Sequence, residues 1–87
     1  MQTIYLDGRD YNDSADVHQA LKLLLDLPDY YGGNADALYD CLSERREPVS
    51  LYIAHMGNAS AADALSKAAL VMEDLGGRVR KPDGEEA

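Results

Sequence analysis

Two short runs of β-forming residues, TIYL at Thr3–Leu6 and VSLYIAH at Val49–His55, are separated by the long segment 7–48, which reads as helix. That separation limits the fold more than any other feature. Strands joined by helices require a crossover and pair in parallel, and such crossovers are right-handed in nearly all cases. The first run stops at Asp7-Gly8, a turn signal, and the second is bounded by Pro48 and Gly57. Between them, Ser14 is expected to cap a helix with Val17, Leu21, Leu24 and Leu25 on one face. Pro28 ends that pattern, because proline lacks the N–H donor and clashes with the preceding turn. A second helix is expected over Ala35–Glu44. A third, rich in alanine, runs from Ser60 to Leu75 with Leu65, Ala69, Met72 and Leu75 in a stripe, and Gly76-Gly77 supplies its stop. Arg78-Val79-Arg80 is the candidate for a short third strand. The order strand, two helices, strand, helix, strand predicts a two-layer α/β domain: a three-stranded parallel sheet with three or so helices packed on one face. One domain is expected over residues 1–81, and the polar segment 82–87 is expected to be disordered.

Composition narrows the function. The chain has 87 residues and a formal net charge of −8, from 16 acidic residues against 8 basic ones. Such a balance repels phosphate backbones, so direct nucleic-acid binding is disfavoured; it favours a basic partner or serves solubility alone. No apolar run approaches the roughly 18 residues of a membrane span. The opening MQTIYLDG lacks the basic and apolar regions of a secretory signal. A lone cysteine, Cys41, excludes an internal disulfide framework. These observations point to the reducing cytoplasm.

The second helix carries the most informative pattern. At about 100° per residue, Ala35, Ala37, Leu38, Cys41 and Leu42 share one arc, while Asp36, Tyr39, Asp40, Ser43 and Glu44 share the other. The first arc is core, with Cys41 filling it as a small hydrophobe. Asn34 is a good N-cap, and Asp36 then sits at the positive end of the helix dipole. Capping does not account for Asp40 a turn later, for Tyr39 beside both carboxylates, or for Tyr30 and Tyr31 in the preceding loop.

Three chemistries compete for those aspartates. Acid–base catalysis needs one pKa raised in a water-excluding pocket, which a helix surface in so small a domain does not offer. A divalent cation wants about six oxygens, and only two carboxylates converge. The Gly32-Gly33 pair suggests a phosphate loop, but the lysine is missing and an aspartate opens the helix. His18 and His55 lie on different elements without a serine or second cysteine at a diagnostic spacing, so both read as structural histidines. What is left is a binding surface: aromatics for area, aspartates for charge, a helix for rigidity.

The words LDG near the start, DVHQALKLLLDLPDYYGGNADALYDCL in the first half and the EPVSLYI strand resemble the barstar family of ribonuclease inhibitors. Agreement runs almost without a gap from Asp16 to Leu42, and more loosely to about Ile53. The family fold, a three-stranded parallel sheet with helices on one side, is the layout already expected. The resemblance implies a one-to-one complex with a small, basic, secreted microbial ribonuclease, whose RNA-binding cleft is filled by the second helix and the loop before it. Carried over by position, Asp40 resembles the carboxylate that replaces a substrate phosphate among the enzyme's cations. Asp36 resembles its companion at the basic rim, and Tyr30 the aromatic that covers the catalytic histidine. Asn34 and Ser43 fall where the family makes polar or backbone contacts. Tyr39 stands where the family often has tryptophan. Arg45 and Arg46 would face a basic enzyme unfavourably unless they point away. An acidic contact from the last helix would fall near Glu73 or Asp74, and a third strand made from RVRKPDGEEA, polar where the family is apolar, would be very short.

The expectation is therefore a cytoplasmic ribonuclease inhibitor of the immunity type, with no catalytic activity, cofactor or metal, and with neither nucleic acid nor membrane as a partner. The alternative is an acidic interaction or regulatory module on the same scaffold, binding another basic protein.

Overall fold

The computed structural model describes residues 2–82. Strand β1 (Gln2–Leu6) leads through a 3-10 turn (Gly8–Asp10) into α1 (Ser14–Leu25) and α2 (Ala35–Ser43); β2 (Val49–Ile53), α3 (Ala59–Asp74) and β3 (Val79–Arg80) follow. The sheet order is β1-β2-β3, parallel throughout, with Ile4 opposite Leu51 and Leu51 opposite Val79. Ile4 and Leu6 of β1 and Val49, Leu51 and Ile53 of β2 bury one face in a core shared with Val17, Leu21 and Leu25 of α1, Leu38 and Leu42 of α2, and Leu65, Ala68, Ala69 and Met72 of α3. All three helices therefore lie on that face. Helix α3 packs against both other helices as well as against β2 and β3, so it is the centre of the helical layer. Its small residues allow this: Ala61, Ala64, Ala68 and Ala69 are all buried.

Local chemistry departs from the sequence pattern in a few places. Asp13, not Ser14, caps α1 by accepting from Asp16 N–H at 3.0 Å, while the Asp16 carboxylate reaches back to Asn12 N–H at 2.9 Å. A carboxylate accepts an orphan helix N–H more strongly than a neutral hydroxyl. Ser14 instead donates its backbone N–H to Ser60 Oγ at 2.9 Å, tying the start of α1 to the start of α3. Leu24 is exposed, because it falls at the edge of the arc that Val17, His18, Leu21 and Leu25 turn to the core; the helix ends at Leu25, with Asp26 in the left-handed region. Helix α3 starts one residue earlier than expected, because Asn58 caps it by accepting from Ala61 N–H. β2 stops at Ile53, before His55.

The glycines near the chain crossings are steric necessities. A Cβ on Gly8 would lie 2.4 Å from the Met56 carbonyl carbon, and one on Gly77 would lie 1.9 Å from the Val49 carbonyl oxygen. Gly8 thus lets the end of β1 approach the turn after β2, where its N–H donates to His55 O at 2.7 Å. Asp7 completes that corner. Its carboxylate accepts from the Arg9 guanidinium and backbone and lies 3.4 Å from His55 Nδ1; the Arg9 bonds hold its pKa down at about 2. The Gly76-Gly77 stop divides its duties: Gly76 takes the left-handed conformation at φ +94°, and Gly77 supplies the space against the central strand. Residues 83–87, most of the segment expected to be disordered, lie outside the described residues.

Candidate protein-docking face

The apolar arc of α2 holds the helix to the core through Leu38 and Leu42. Asn34 caps it, accepting from Ala37 N–H at 2.8 Å, and Gly33 enters the cap at φ +72°, a conformation that glycine adopts freely. Once the helix is seated this way, Asp36, Tyr39, Asp40 and Ser43 all face out. Asp36 and Asp40 are one turn apart, and neither forms an ion pair or hydrogen bond through its carboxylate among the described residues. Ser43 Oγ–H donates to Asp40 O at 2.9 Å, so its hydroxyl is engaged with its own helix. Asn34 spends its side-chain oxygen on the cap and keeps its amide N–H groups. Tyr39 is 42% exposed and Tyr30 is 81% exposed. All six residues singled out in the sequence are thus exposed, on α2 or on the loop before it.

The loop owes its shape to the other tyrosine. Tyr31 turns inward, and its hydroxyl lies 2.6 Å from Nδ1 of buried His18 on α1, with the two rings 5.9 Å apart. Tyr31 N–H also donates to Pro28 O at 2.9 Å, closing the turn from which Tyr30 projects. Burial pushes the Tyr31 phenol up to about 12, and burial, with Lys67 nearby, lowers the His18 pKa. With the phenol protonated and the imidazole neutral, Tyr31 donates to Nδ1 in the Nε2–H tautomer of His18 and accepts from it in the Nδ1–H tautomer. This pairing was not legible from spacing, since the two residues sit 13 apart on different elements.

Two further features emerge only in three dimensions. Arg45 folds back over the end of α1, donating to Leu25 O and, at 3.2 Å, to Gln2 Oε1. It is spent on capping carbonyls at a helix C-terminus, where a cation is favoured, and does not project with the aspartates. Secondly, a cavity of about 410 Å³ opens between the first turn of α2 and the first half of α3, bringing Asp36 into company with Asp63 and Lys67. Lys67 is tied to Asp63 at 3.1 Å. Glu73 and Asp74, the residues expected to supply an acidic contact, are exposed at the opposite end of α3 with no side-chain partner among the described residues. No group of three or more histidine, cysteine or acidic residues able to hold a metal ion occurs among the described residues. Cys41 is a half-buried free thiol packed against the core. No described helix is long and apolar enough to cross a membrane.

Comparison with known proteins now bears on this surface. The family profile described as Barstar (barnase inhibitor) matches residues 1–85. The chain belongs to the barstar family. Among curated proteins it is similar to one from Bacillus subtilis (strain 168) named "Putative ribonuclease inhibitor YrdF", with 54% identity over 43 residues. That alignment covers 49% of this chain and 47% of the relative, so the match spans about half the length of each. Family membership agrees with the parallel three-stranded sheet and the single helical layer described above.

Proposed function

We propose that this protein inhibits a small, basic ribonuclease by filling its active-site cleft with the outer face of α2 and the loop that carries Tyr30. The observation that carries the proposal is the pair of unpartnered carboxylates, Asp36 and Asp40, held on a capped and buried-edge helix beside an exposed tyrosine. A carboxylate presents two oxygens at fixed spacing, as a phosphate does, and accepts bidentate hydrogen bonds from arginine. Because Leu38, Leu42 and the Asn34 cap already order the helix, docking need not spend much free energy on immobilising it. Asp40 takes the central role and Asp36 the rim; Tyr30 and Tyr39 add aromatic contact area, and Asn34 and Ser43 supply polar contacts at the two ends. Catalysis forms no part of this function.

Folding of Arg45 onto Leu25 O takes one cation away from the acidic surface and so removes an obstacle to docking on a basic enzyme. The test is a titration of the purified protein into a barnase-type ribonuclease assay. Inhibition complete at one equivalent, and competitive with a short oligonucleotide, is expected. Inhibition that does not weaken as oligonucleotide is added would refute occlusion of the cleft.

A further inference from the structure

The acidic line on α2 does not stop at Asp40. Glu44, the C-cap residue, keeps helical backbone angles (φ −82°, ψ −9°) and so stands one turn beyond Asp40 on the same side. Stability gives no reason for a carboxylate there, because the C-terminus of a helix is the negative end of its dipole. The last turn of α2 holds no basic residue, and the Glu44 side chain has no partner among the described residues. Asp26 repeats the pattern as the C-cap of α1, with its carboxylate likewise unpartnered among the described residues. Two helix ends thus each present an acid where a cation is favoured.

A groove of about 340 Å³ opens between those two ends. Leu27, Pro28 and Cys41 give it an apolar floor, the first buried and the other two half-buried. The exposed Tyr30 also lines it, and its ring has no aromatic or cationic neighbour among the described residues. Arg45 is the only basic residue in the lining among the described residues, and its guanidinium is committed to Leu25 O and Gln2 Oε1. Lys22, in the last turn of α1, lies 3.9 Å from Asp29, and Arg46 lines the cavities on the Pro48 side instead. The groove therefore combines an apolar floor, a free aromatic plane and two uncompensated carboxylates, and it joins the docking face through Tyr30.

We infer that this groove receives an arginine side chain of the protein that docks on α2. The inference rests on the proposed function and extends it to one basic residue at the edge of the enzyme's cleft. Arginine matches each wall. Its apolar stem covers the floor, its guanidinium plane stacks on Tyr30, and its N–H groups donate to the Glu44 carboxylate. Lysine supplies the charge without the plane. An acidic side chain would be repelled by Asp26 and Glu44, and an apolar one would leave both unused. Glu44 is thereby a specificity residue, favouring ribonucleases that carry arginine at the matching place on the rim.

The first test needs no ribonuclease. The isotope-labelled full chain is titrated with N-acetylarginine methylamide at constant ionic strength, and its amide shifts are followed by NMR. Saturable shifts centred on Tyr30, Cys41 and Glu44 are expected, with weaker binding of the lysine analogue and none of the norleucine analogue. Glu44→Gln, at an exposed position, should weaken arginine binding about two- to fivefold, and Tyr30→Ala by a similar factor. Glu44→Gln should also leave the barnase-type ribonuclease about two- to fivefold faster than the parent does. Shifts no larger at the groove than at Asp10 or Asp63 would overturn the inference, since they would report general charge attraction. Equal affinity for the lysine analogue would overturn the assignment to arginine. Unchanged dissociation of Glu44→Gln would overturn the placement of a partner side chain in the groove. Failure of the parent to inhibit would refute the docking reading itself, whereas the probe titration judges the groove independently of it.

Discussion

Adjacent tyrosines in the loop before α2 have opposite fates, and Tyr31→Phe isolates the reason. The substitution keeps the ring that packs against the core and removes only the hydroxyl bonded to His18 Nδ1 at 2.6 Å. A typical hydrogen bond contributes about 0.5–1.5 kcal/mol net, and a buried polar atom left without its partner costs about 1–3 kcal/mol. The second figure belongs at its lower end, because His18 lines a cavity that water can enter. The expected loss is about 1 kcal/mol. For a domain of this size that lowers Tm by about 4–8 °C.

The alkaline limb supplies an independent readout. The Tyr31 phenol is raised above its ordinary value of 10.0 to about 12, so the folded state holds the proton more tightly than the unfolded chain. Its contribution to stability is complete below pH 10.0 and is lost as pH rises through about 12. After allowance for solvent screening, that loss is on the order of 1 kcal/mol. Urea unfolding at neutral pH and at pH 10–11 would measure both effects in parent and Tyr31→Phe. Tyr30→Phe, at an exposed position, should stay within about 0.5 kcal/mol of the parent. If Tyr31→Phe also stays within about 0.5 kcal/mol, and keeps the parent's alkaline decline, the His18–Tyr31 bond does not order the loop.

Other outcomes follow from the same geometry. Asp40→Ala should accelerate dissociation from the ribonuclease by an amount worth several kcal/mol, since the enzyme's cations are left buried and unpaired. Asp10→Ala removes the same charge from an exposed position without a side-chain partner and should leave dissociation unchanged; Asp16 is unsuitable as that control, because its carboxylate caps α1. Identical dissociation rates for the Asp40 and Asp10 variants, read by surface binding, would exclude phosphate imitation by Asp40. His18 is held neutral by burial and by Lys67, with its pKa below 6.5, so stability should be full above pH 6.5 and fall as pH drops through the lowered value; His18→Gln should flatten that decline in thermal melts. Gly77→Ala should prevent folding or cost well over 3 kcal/mol, because its Cβ meets the backbone of the central strand and not a yielding side chain. A soluble, cooperative Gly77→Ala variant with the parent's Tm would contradict that packing.

Legibility in the sequence tracked the range of the interactions concerned. The parallel sheet and single helical layer follow from strand spacing, because crossover geometry leaves few alternatives. The outward set on α2 follows from helical period alone, and all six candidate residues were found exposed. Side-chain competition for caps was harder to read: Asp13 displaced Ser14 because both flank the same helix start and the carboxylate accepts more strongly. The contacts across elements were not legible. Nothing local joins His18 to Tyr31, Arg45 to Leu25 O, or Asp63 to the rim near Asp36. The same holds for the open sheet face, where Tyr5, Tyr52 and Arg80 align only once the register is known.

Helix α2 shows why the docking face depends on residues that never touch a partner. At nine residues it is shorter than the roughly 12–15 that an isolated helix needs to persist in water. Its order comes from Leu38 and Leu42 in the core, the Asn34 cap, and the loop fixed by Tyr31. The exposed carboxylates give little in return, since neither Asp36 nor Asp40 has a side-chain partner among the described residues. Under the proposed function, stability and recognition are therefore carried by opposite arcs of one short helix. Truncating Leu38 would remove a fully buried side chain and cost about 2–5 kcal/mol. That exceeds a third of the stability of many small domains, so affinity would fall through loss of the ordered face even with both aspartates in place.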